Sequence, residues 1–555
     1  MQAPRYTATR VIRLAAQQRS RVQVRRFAKF ATPIKSRPLR LSGPSIAFVL
    51  AGASVLAAGV SFCSSLRADD GSLSHRDRDL RDPTLPRFRL SDIRKHHGKS
   101  GSPWVTRGDK VYNITDWVAA HPGGEVILEA AGGSIDPYWD IFTIHKTAHI
   151  YEILEQYRIG FVHSDDLVDG KPVVQEIEDP FQHDPLRSSR LRTITAKPCN
   201  AETSTDDLSN NSITPNELFY VRNHMWVPKI EEQKFTLEVE LLDGTTTQYT
   251  MQDLRDKFKP IKVSATLQCA GNRRNDMTMH AQQTNGLQWK VGAISTAVWE
   301  GVRLSDVLID AGFPVQQAMQ GHTEANHIQF SGSEAYGASI PIESALNPYG
   351  DVMLAHTMNG EPLPRDHGFP LRAIVPGHVA ARSVKWLKRI TVSDEESHAQ
   401  WQRRDYKSFG PNETHPDWDK ASSIQEMPIT SAITNAKVED QKMLLEGYAY
   451  SGGGRKIVRV DVSTDNGDTW DQAALLDDEM LSLGRKSWTW TRWRYKSTFN
   501  VARLDKQDTA CSMVVVKATD EAYNSQPESH KSIYNARGNL ANAWHRLKVC
   551  SDCNG

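Results

Sequence analysis

Cysteine is scarce in this chain: six in 555 residues, at Cys63, Cys199, Cys269, Cys511, Cys550 and Cys553. Thiols so few and so widely spaced exclude a small scaffold held together by disulfides. Only Cys550 and Cys553 form a CxxC pair. With no second pair to complete a zinc site, they read as an inert tail. The sequence also lacks any Gly-x-Gly-x-x-Gly or Walker-type loop. Neither a Rossmann dinucleotide site nor a P-loop is therefore supported, and any electron source has to be something else.

Acidic residues are missing from one region. Residues 1–68 hold twelve of the 67 Arg and Lys and none of the 66 Asp and Glu, so the +1 net charge conceals an acidic body behind a basic N-terminus. The run TATRVIRLAAQQRSRVQVRRFAKF reads as an amphipathic mitochondrial transit peptide, the alternative being a basic nucleic-acid-binding arm. Ser45 to Cys63, SIAFVLAGASVLAAGVSFC, is uncharged and about long enough to span a bilayer. A transit peptide followed by such a segment resembles the two-part signals of intermembrane-space proteins. That localisation is expected, with membrane anchoring through 45–63 if the segment is retained. The 24% charged and 39% hydrophobic composition is that of a soluble globular protein, and the length suggests roughly three or four domains.

After the polar stretch that follows, globular sequence begins near Leu85. VYNITDWVAAHPGGEVILEAAGG carries His121 in an HPGG turn, and His145 follows in DIFTIHKTAHIYEIL. Two histidines flanked by short helical patterns and apolar residues can clamp a flat macrocycle between two imidazoles. Between Asp116 and Glu155 seven acidic residues face a single basic one, Lys146. An acidic rim of that kind would steer a basic redox partner. Over Leu85 to His163 the sequence resembles the cytochrome b5 family. The resemblance implies His121 and His145 as axial ligands of a b-type haem, with His149 as a decoy nearby. Two nitrogen ligands leave no open position on iron, so such a haem carries electrons and does no substrate chemistry.

Residues 164–180, including SDDLVDGKPVVQEIEDP, have acidic residues, two prolines and no hydrophobic periodicity, and read as a flexible linker. Beyond them, short runs such as FTLEVELLDG, KVSATLQCAG and PLRAIVPGHVAARSVKWLKRITV alternate with Gly and Pro turns. That pattern predicts a mixed α+β domain over 181–415. From about 426 to 549 the chain reads as strand after strand with a DNGD hairpin turn, predicting an all-β, immunoglobulin-like sandwich. The expected architecture is α+β and multidomain: 1–68 signal, 85–163 small α+β haem domain, 164–180 linker, 181–415 catalytic domain and 426–549 sandwich.

Cys269 lies in VSATLQCAGNRR, between an apolar strand and a Gly-Asn-Arg-Arg turn. A thiolate is a soft metal ligand, and neighbouring arginines hold anions beside it. TLQCAGNRR, together with YVRNH, RDHGFPLR and ARSVKWL, closely resembles the sulfite oxidase family of molybdenum enzymes from about Asp184 to the C-terminus. The resemblance implies that Cys269 ligates the molybdenum of a molybdopterin cofactor. It places pterin contacts on Tyr220, Val221, Arg222, Asn223, His224, His367, Arg372, Ser383, Val384 and Lys385. Glu334 is the nearest candidate for an acidic contact. The substrate positions fall on Arg222, Arg274 and Arg537 with Trp289 and Tyr406, three guanidiniums suiting a small oxyanion. Arg537 lies within the sandwich and has to reach back to the catalytic domain, while Arg273 receives no role.

The implied activity is two-electron oxidation of sulfite to sulfate, with electrons passed singly through haem b to cytochrome c. The implied assembly is a homodimer through the last domain, with no nucleic acid. The rivals are a nitrate reductase-like molybdenum enzyme and a catalytically dead haem-tethered scaffold. Module order, with the haem first, favours sulfite over nitrate.

Overall fold

The computed structural model describes residues 84–550, apart from short stretches at 99–100, 119–120, 122–123, 143–144, 147, 173–176, 414–415, 477–481, 500–502 and 505–509. The basic N-terminal signal, the apolar run 45–63 and Cys553 lie outside the described residues. Among the described residues, no helix is long and apolar enough to cross a membrane.

The haem module is built on a four-stranded sheet, in the order Arg87–Phe88, Arg158–Val162, Lys110–Asn113, Trp104–Arg107. Short helices over Gly124–Ala130, Asp136–Ile141 and Ala148–Glu155 follow the hairpin. Val105, Tyr112, Ile114, Ile135, Trp139 and Leu154 form their shared core. Several of the acidic residues turn out to be occupied inside the module. Glu155 accepts from Lys110 and from the Tyr112 phenol at 2.9 and 2.8 Å, Asp136 accepts from the Gly108 amide at 2.8 Å, and Asp140 pairs with Lys146 at 2.8 Å. The acidic rim is correspondingly smaller than the sequence count implies.

Part of the stretch read as a linker has regular structure. Leu167–Val168 and Lys171–Pro172 pair as a ribbon. Its turn, Asp169-Gly170, has both φ angles positive, the conformation for which Asp-Gly is suited. Asp166 accepts from Arg89 Nε and Nη2 at 2.8 Å each and from the Leu90 amide at 2.9 Å, which fastens the ribbon's base to the haem module.

The central domain contains two five-stranded sheets. One runs Thr246–Thr250, Thr236–Glu240, Leu387–Ser393, His327–Gly332, Gly337–Pro341. The other is led by Ile261–Gln268, Ile294–Arg303 and Met353–Met358, with Arg372–Ile374 pairing the last. Val263 through Gln268 are buried without alternation because both sides of their strand are covered. One edge pairs with Ile294–Arg303. From the other, Ser264 and Thr266 amides donate to Leu483 O at 2.9 Å and Trp488 O at 3.0 Å in the C-terminal domain.

That C-terminal domain is a two-sheet sandwich. Thr430–Glu439, Lys442–Tyr450, Thr491–Thr498 and Ala474–Leu476 face Ile457–Ser463, Ala510–Asp520 and their partners over a core of Met443, Leu445, Val460, Val462, Trp493, Val514 and Val516. The DNGD segment connects Ile457–Ser463 to the antiparallel Asp471–Gln472, with Asn466 and Gly467 at positive φ. Cys550 is not an inert tail residue: it forms a disulfide with Cys511, its register partner on the adjacent strand.

Arg273, unassigned by sequence, proves to be a tie between domains. Its side chain is 0% exposed; Nε donates to Asp276 at 2.9 Å, and Nη1 donates to Ser431 O and Ala543 O at 3.1 and 2.8 Å. Removing a buried, fully bonded guanidinium strands its acceptors. Arg273→Met should therefore destabilise the protein by about 3–5 kcal/mol. Chemical unfolding checks this, and an unchanged midpoint would contradict the assignment.

Candidate functional site

A cleft in the central domain, enclosing about 690 Å³ of empty space including open solvent, is walled by five chain segments. Phe219 to His224, Leu267 to Ala270, Glu334 with Tyr336, His367 with Arg372, and Ala380 to Trp386 converge there, and Tyr406 adds a further side chain. Of the residues assigned to pterin and metal from sequence, Tyr220, Arg222, Asn223, His224, Cys269, His367, Arg372, Ser383, Val384 and Lys385 all line it. Val221 does not; its side chain packs with Leu191, Cys199 and Ala201 in a separate cluster.

Cys269 arrives at the end of the buried strand Ile261–Gln268, where the chain turns sharply. Its amide donates to Ala293 O at 3.0 Å, its carbonyl accepts from Asn272 N at 2.9 Å, and the Gly271 amide points at Sγ from 3.4 Å. Asn272 locks the turn by accepting from the Ala293 amide at 3.1 Å and donating to the Tyr448 hydroxyl at 2.9 Å. Cys269 is 7% exposed and lines the cleft.

The cations around it are short of carboxylates. Arg372 donates only to carbonyls, His367 O at 2.8 Å and Ser383 O at 2.9 Å, and burial pushes its pKa down to about 10. Burial likewise pushes Lys385 down to about 7, against the opposing pull of Asp366. Lys385 Nζ reaches Arg222 O at 3.2 Å, Asp366 O at 2.8 Å and the Asn223 side chain. Burial drives His367 down to about 3, so this imidazole is neutral at physiological pH. Three buried polar atoms on cleft-lining residues have no partner among the described residues: His224 Nε2, Arg372 Nε and Glu334 Oε2. Each such atom costs about 1–3 kcal/mol until something bonds it. A polar cofactor bearing a phosphate would satisfy the cations and the orphaned atoms, and a soft metal would take the thiolate. The residues present fit a molybdopterin.

Of the other assigned residues Tyr406 lines the cleft, while Arg274, Arg537 and Trp289 are not part of its lining. Arg537 does reach back from the sandwich: Nε and Nη2 donate to Asp405 at 2.9 and 2.5 Å, beside Tyr406. Burial pulls the Arg537 pKa down, but Asp405 outweighs it and the group is raised. Arg274 is lowered by burial first, and by the charges of Arg222 and Arg537. Trp289 is fully buried behind Gly271, where an added Cβ would lie 2.9 Å from its ring. Tyr406 occupies a positive φ of 46°, costly for a bulky residue; its amide is held by Asp405 at 2.8 Å, and burial pushes its phenol up to about 12. It is therefore a hydrogen-bond donor at neutral pH.

Two acids escaped the sequence reading. Asp405 offsets Arg537, and Asp366 accepts from Arg187 at 2.9 Å twice and from Asn223 at 3.0 Å, which fixes the pterin-facing segment. Asp366 sits inside the RDHGFPLR motif, so an acid among bases was the available signal.

In the haem module His121 and His145 face one another with ring centres 6.2 Å apart and planes 13° from parallel. Two imidazoles bonded to one metal from opposite sides, each at about 2.0 Å, stand roughly 6 Å apart between centres. His145 Nδ1 lies 3.0 Å from Phe142 O, which leaves Nε2 as the nitrogen that would bond a metal, and Trp139 stacks on the same ring at 5.4 Å. The pair fits a bis-histidine haem. The side chain of His149 lies outside the described residues, as do Pro122 and Gly123 of the HPGG turn.

Comparison with known proteins agrees with this geometry. The cytochrome b5-like heme/steroid binding domain matches residues 89–163, the oxidoreductase molybdopterin binding domain 224–401, and the Mo-co oxidoreductase dimerisation domain 421–552. The sulfite oxidase of Gallus gallus is 44% identical over 480 residues, covering 84% of this chain and 100% of the relative. The mitochondrial sulfite oxidase of Homo sapiens is 43% identical over 490 residues, 86% of each chain. Among solved structures, the sulfane dehydrogenase SoxCD from Paracoccus pantotrophus superposes with a TM-score of 0.54 at 25% identity, over 69% of this chain and 95% of that one. Identity at this level over most of the chain, with all three domain models matched along it, places the chain in the sulfite oxidase family.

Proposed function

We propose that the protein is a mitochondrial sulfite oxidase that oxidises sulfite to sulfate and passes the electrons through its own haem to cytochrome c in the intermembrane space. The observation that carries this reading is the convergence of Cys269, the orphaned polar atoms and Arg222 on one cleft, with Arg274 buried within electrostatic reach of Cys269, Arg222 and Arg537. When bound, the molybdenum cofactor supplies two-electron acceptance and oxygen transfer, and the haem supplies one-electron carriage. Cys269 would hold the metal, and Tyr220, Arg222, Asn223, His224, His367, Arg372, Ser383, Val384 and Lys385 would hold the pterin and its phosphate.

Arg222, Arg274 and Arg537 bind the substrate. With Asp405 paired to Arg537, the group carries a net charge of about +2, which suits a dianion such as sulfite. Product sulfate has the same charge, so the same residues retain it through the reaction. The neutral Tyr406 phenol donates to the anion and can move a proton there. Within the chain, the haem loop touches the catalytic domain: the Phe142 ring lies 5.7 Å from Phe181 and 6.2 Å from Trp226, two residues beyond His224. Since Phe142 O also bonds His145, this contact links the haem ligand to the pterin-lining segment.

The dimerisation-domain match supports a homodimer through the sandwich. The test is steady-state reduction of cytochrome c. Sulfite should sustain it at a rate that falls with ionic strength, because a basic carrier meets an acidic module, and nitrate should not be turned over. Nitrate turnover, or no sulfite activity in protein containing both cofactors, would sink the proposal.

A further inference from the structure

We infer that Asn539 is a positioning residue for Arg274, so that the C-terminal domain sets the geometry of the anion pocket as well as contributing Arg537 to it. This rests on the reading of Arg274 as a sulfite-binding residue. Arg274 Nε donates to Asn539 Oδ1, and Nη1 donates to Leu287 O at 2.7 Å. Nη2 has no protein acceptor among the described residues. Two glycines leave the space the guanidinium fills: a Cβ on Gly271 would lie 2.6 Å from Nη2, and one on Gly286 would lie 2.8 Å from Nη1. The guanidinium is thus gripped by a side-chain oxygen and a carbonyl, with one amino group kept for a ligand.

The loop that delivers Asn539 is held in an unfavourable conformation. Gly538, Asn539 and Leu540 have successive φ angles of 87°, 67° and 52°, and for leucine this is a strained state. Asn535 maintains it by accepting from the Asn539 amide at 2.9 Å, donating to Asn539 O at 2.9 Å and receiving Asn539 Nδ2 on its own carbonyl at 3.2 Å. The loop is pinned to the catalytic domain where Leu540 N donates to Ala270 O and Asn285 N to Ala536 O, each at 3.0 Å. Asn539 is 1% exposed as a result. Strain held in place by a closed set of bonds, and ending on a substrate-binding cation, marks a device for placing that cation.

The chemistry of the acceptor matters too. Arg537 shares its charge with the carboxylate of Asp405, whereas Arg274 is held only by neutral oxygens and keeps its full charge for the anion. An amide fixes the guanidinium without neutralising it.

The test is Asn539→Gly in the holoenzyme. Glycine accepts the positive φ and keeps both backbone bonds to Asn535, so what is lost is the acceptor for Arg274 together with the Nδ2 donation to the Asn535 carbonyl. The expected result is a rise of about tenfold in the KM for sulfite and in the calorimetric Kd for sulfate, with kcat, molybdenum content, haem spectrum and melting temperature close to wild type. Gly286→Ala, whose Cβ would lie 2.8 Å from Nη1 on a backbone at φ 105° that alanine also strains, should raise both constants without altering Asn539. In the Arg274→Gln background, Asn539→Gly should have no further effect, because the two act as one unit. Wild-type KM and Kd in Asn539→Gly, when Arg274→Gln has raised both, would overturn the inference. If Arg274→Gln also leaves both unchanged, the reading of Arg274 itself falls, and this inference falls with it.

Discussion

Cys269→Ser is expected to lower sulfite turnover by at least about a thousandfold while leaving the haem absorbance intact. Serine is close in size to cysteine, and the turn that carries it is fixed by backbone bonds and by Asn272, so the fold should persist. What changes is the ligand: a hydroxyl is harder and far less acidic than a thiol, and it is a poor partner for a soft metal. The haem spectrum should not respond, because the module has its own core around Tyr112, Ile135 and Trp139. Turnover, metal content and the visible spectrum check this together. A serine variant with wild-type turnover would remove Cys269 from the metal site.

The second large effect is expected at the axial histidines. His121→Ala or His145→Ala should abolish the b-type haem bands and with them cytochrome c reduction, while molybdenum content stays at the wild-type level. The two rings stand at the separation one iron requires, and Trp139, which stacks on His145, offers no basic nitrogen to take its place. Spectra of the purified variants with metal analysis decide it. Retention of a six-coordinate spectrum in both variants would reassign the ligands.

Features written in short contiguous motifs were legible in the sequence. His121 with the downstream His145, the cysteine at the end of an apolar strand, and the strand-rich last domain all map onto the structure at the expected places. Less legible were pairings over long separations. Asp366 meets Arg187 and Asp405 meets Arg537 across 179 and 132 residues; an acid among the bases of RDHGFPLR marked Asp366, but no local pattern named either partner. Arg273 and Arg274 are adjacent in sequence yet have unlike partners. The first is buried against carbonyls of the other domain, whereas the second is held by Asn539 and Leu287.

The same reason explains the readings that changed. Cys550 pairs with Cys511 because strand register makes them opposite neighbours, and register is a property of the folded sheet. Residues 167–172 look like linker by composition, yet the Asp166 carboxylate meets Arg89 and fastens their base to the haem module. Counting charges gave an acidic rim; the structure assigns Glu155 and Asp136 to internal hydrogen bonds.

The central claim is that one chain takes electrons from sulfite at the Cys269 cleft and delivers them to its own haem. The most direct measurement is an anaerobic stopped-flow mix of the oxidised protein with sulfite, followed by haem absorbance with no other acceptor present. The haem should become reduced in wild-type protein and stay oxidised in Cys269→Ser. A haem that stays oxidised in wild-type protein containing molybdenum would contradict the account, as would one reduced equally fast in the variant.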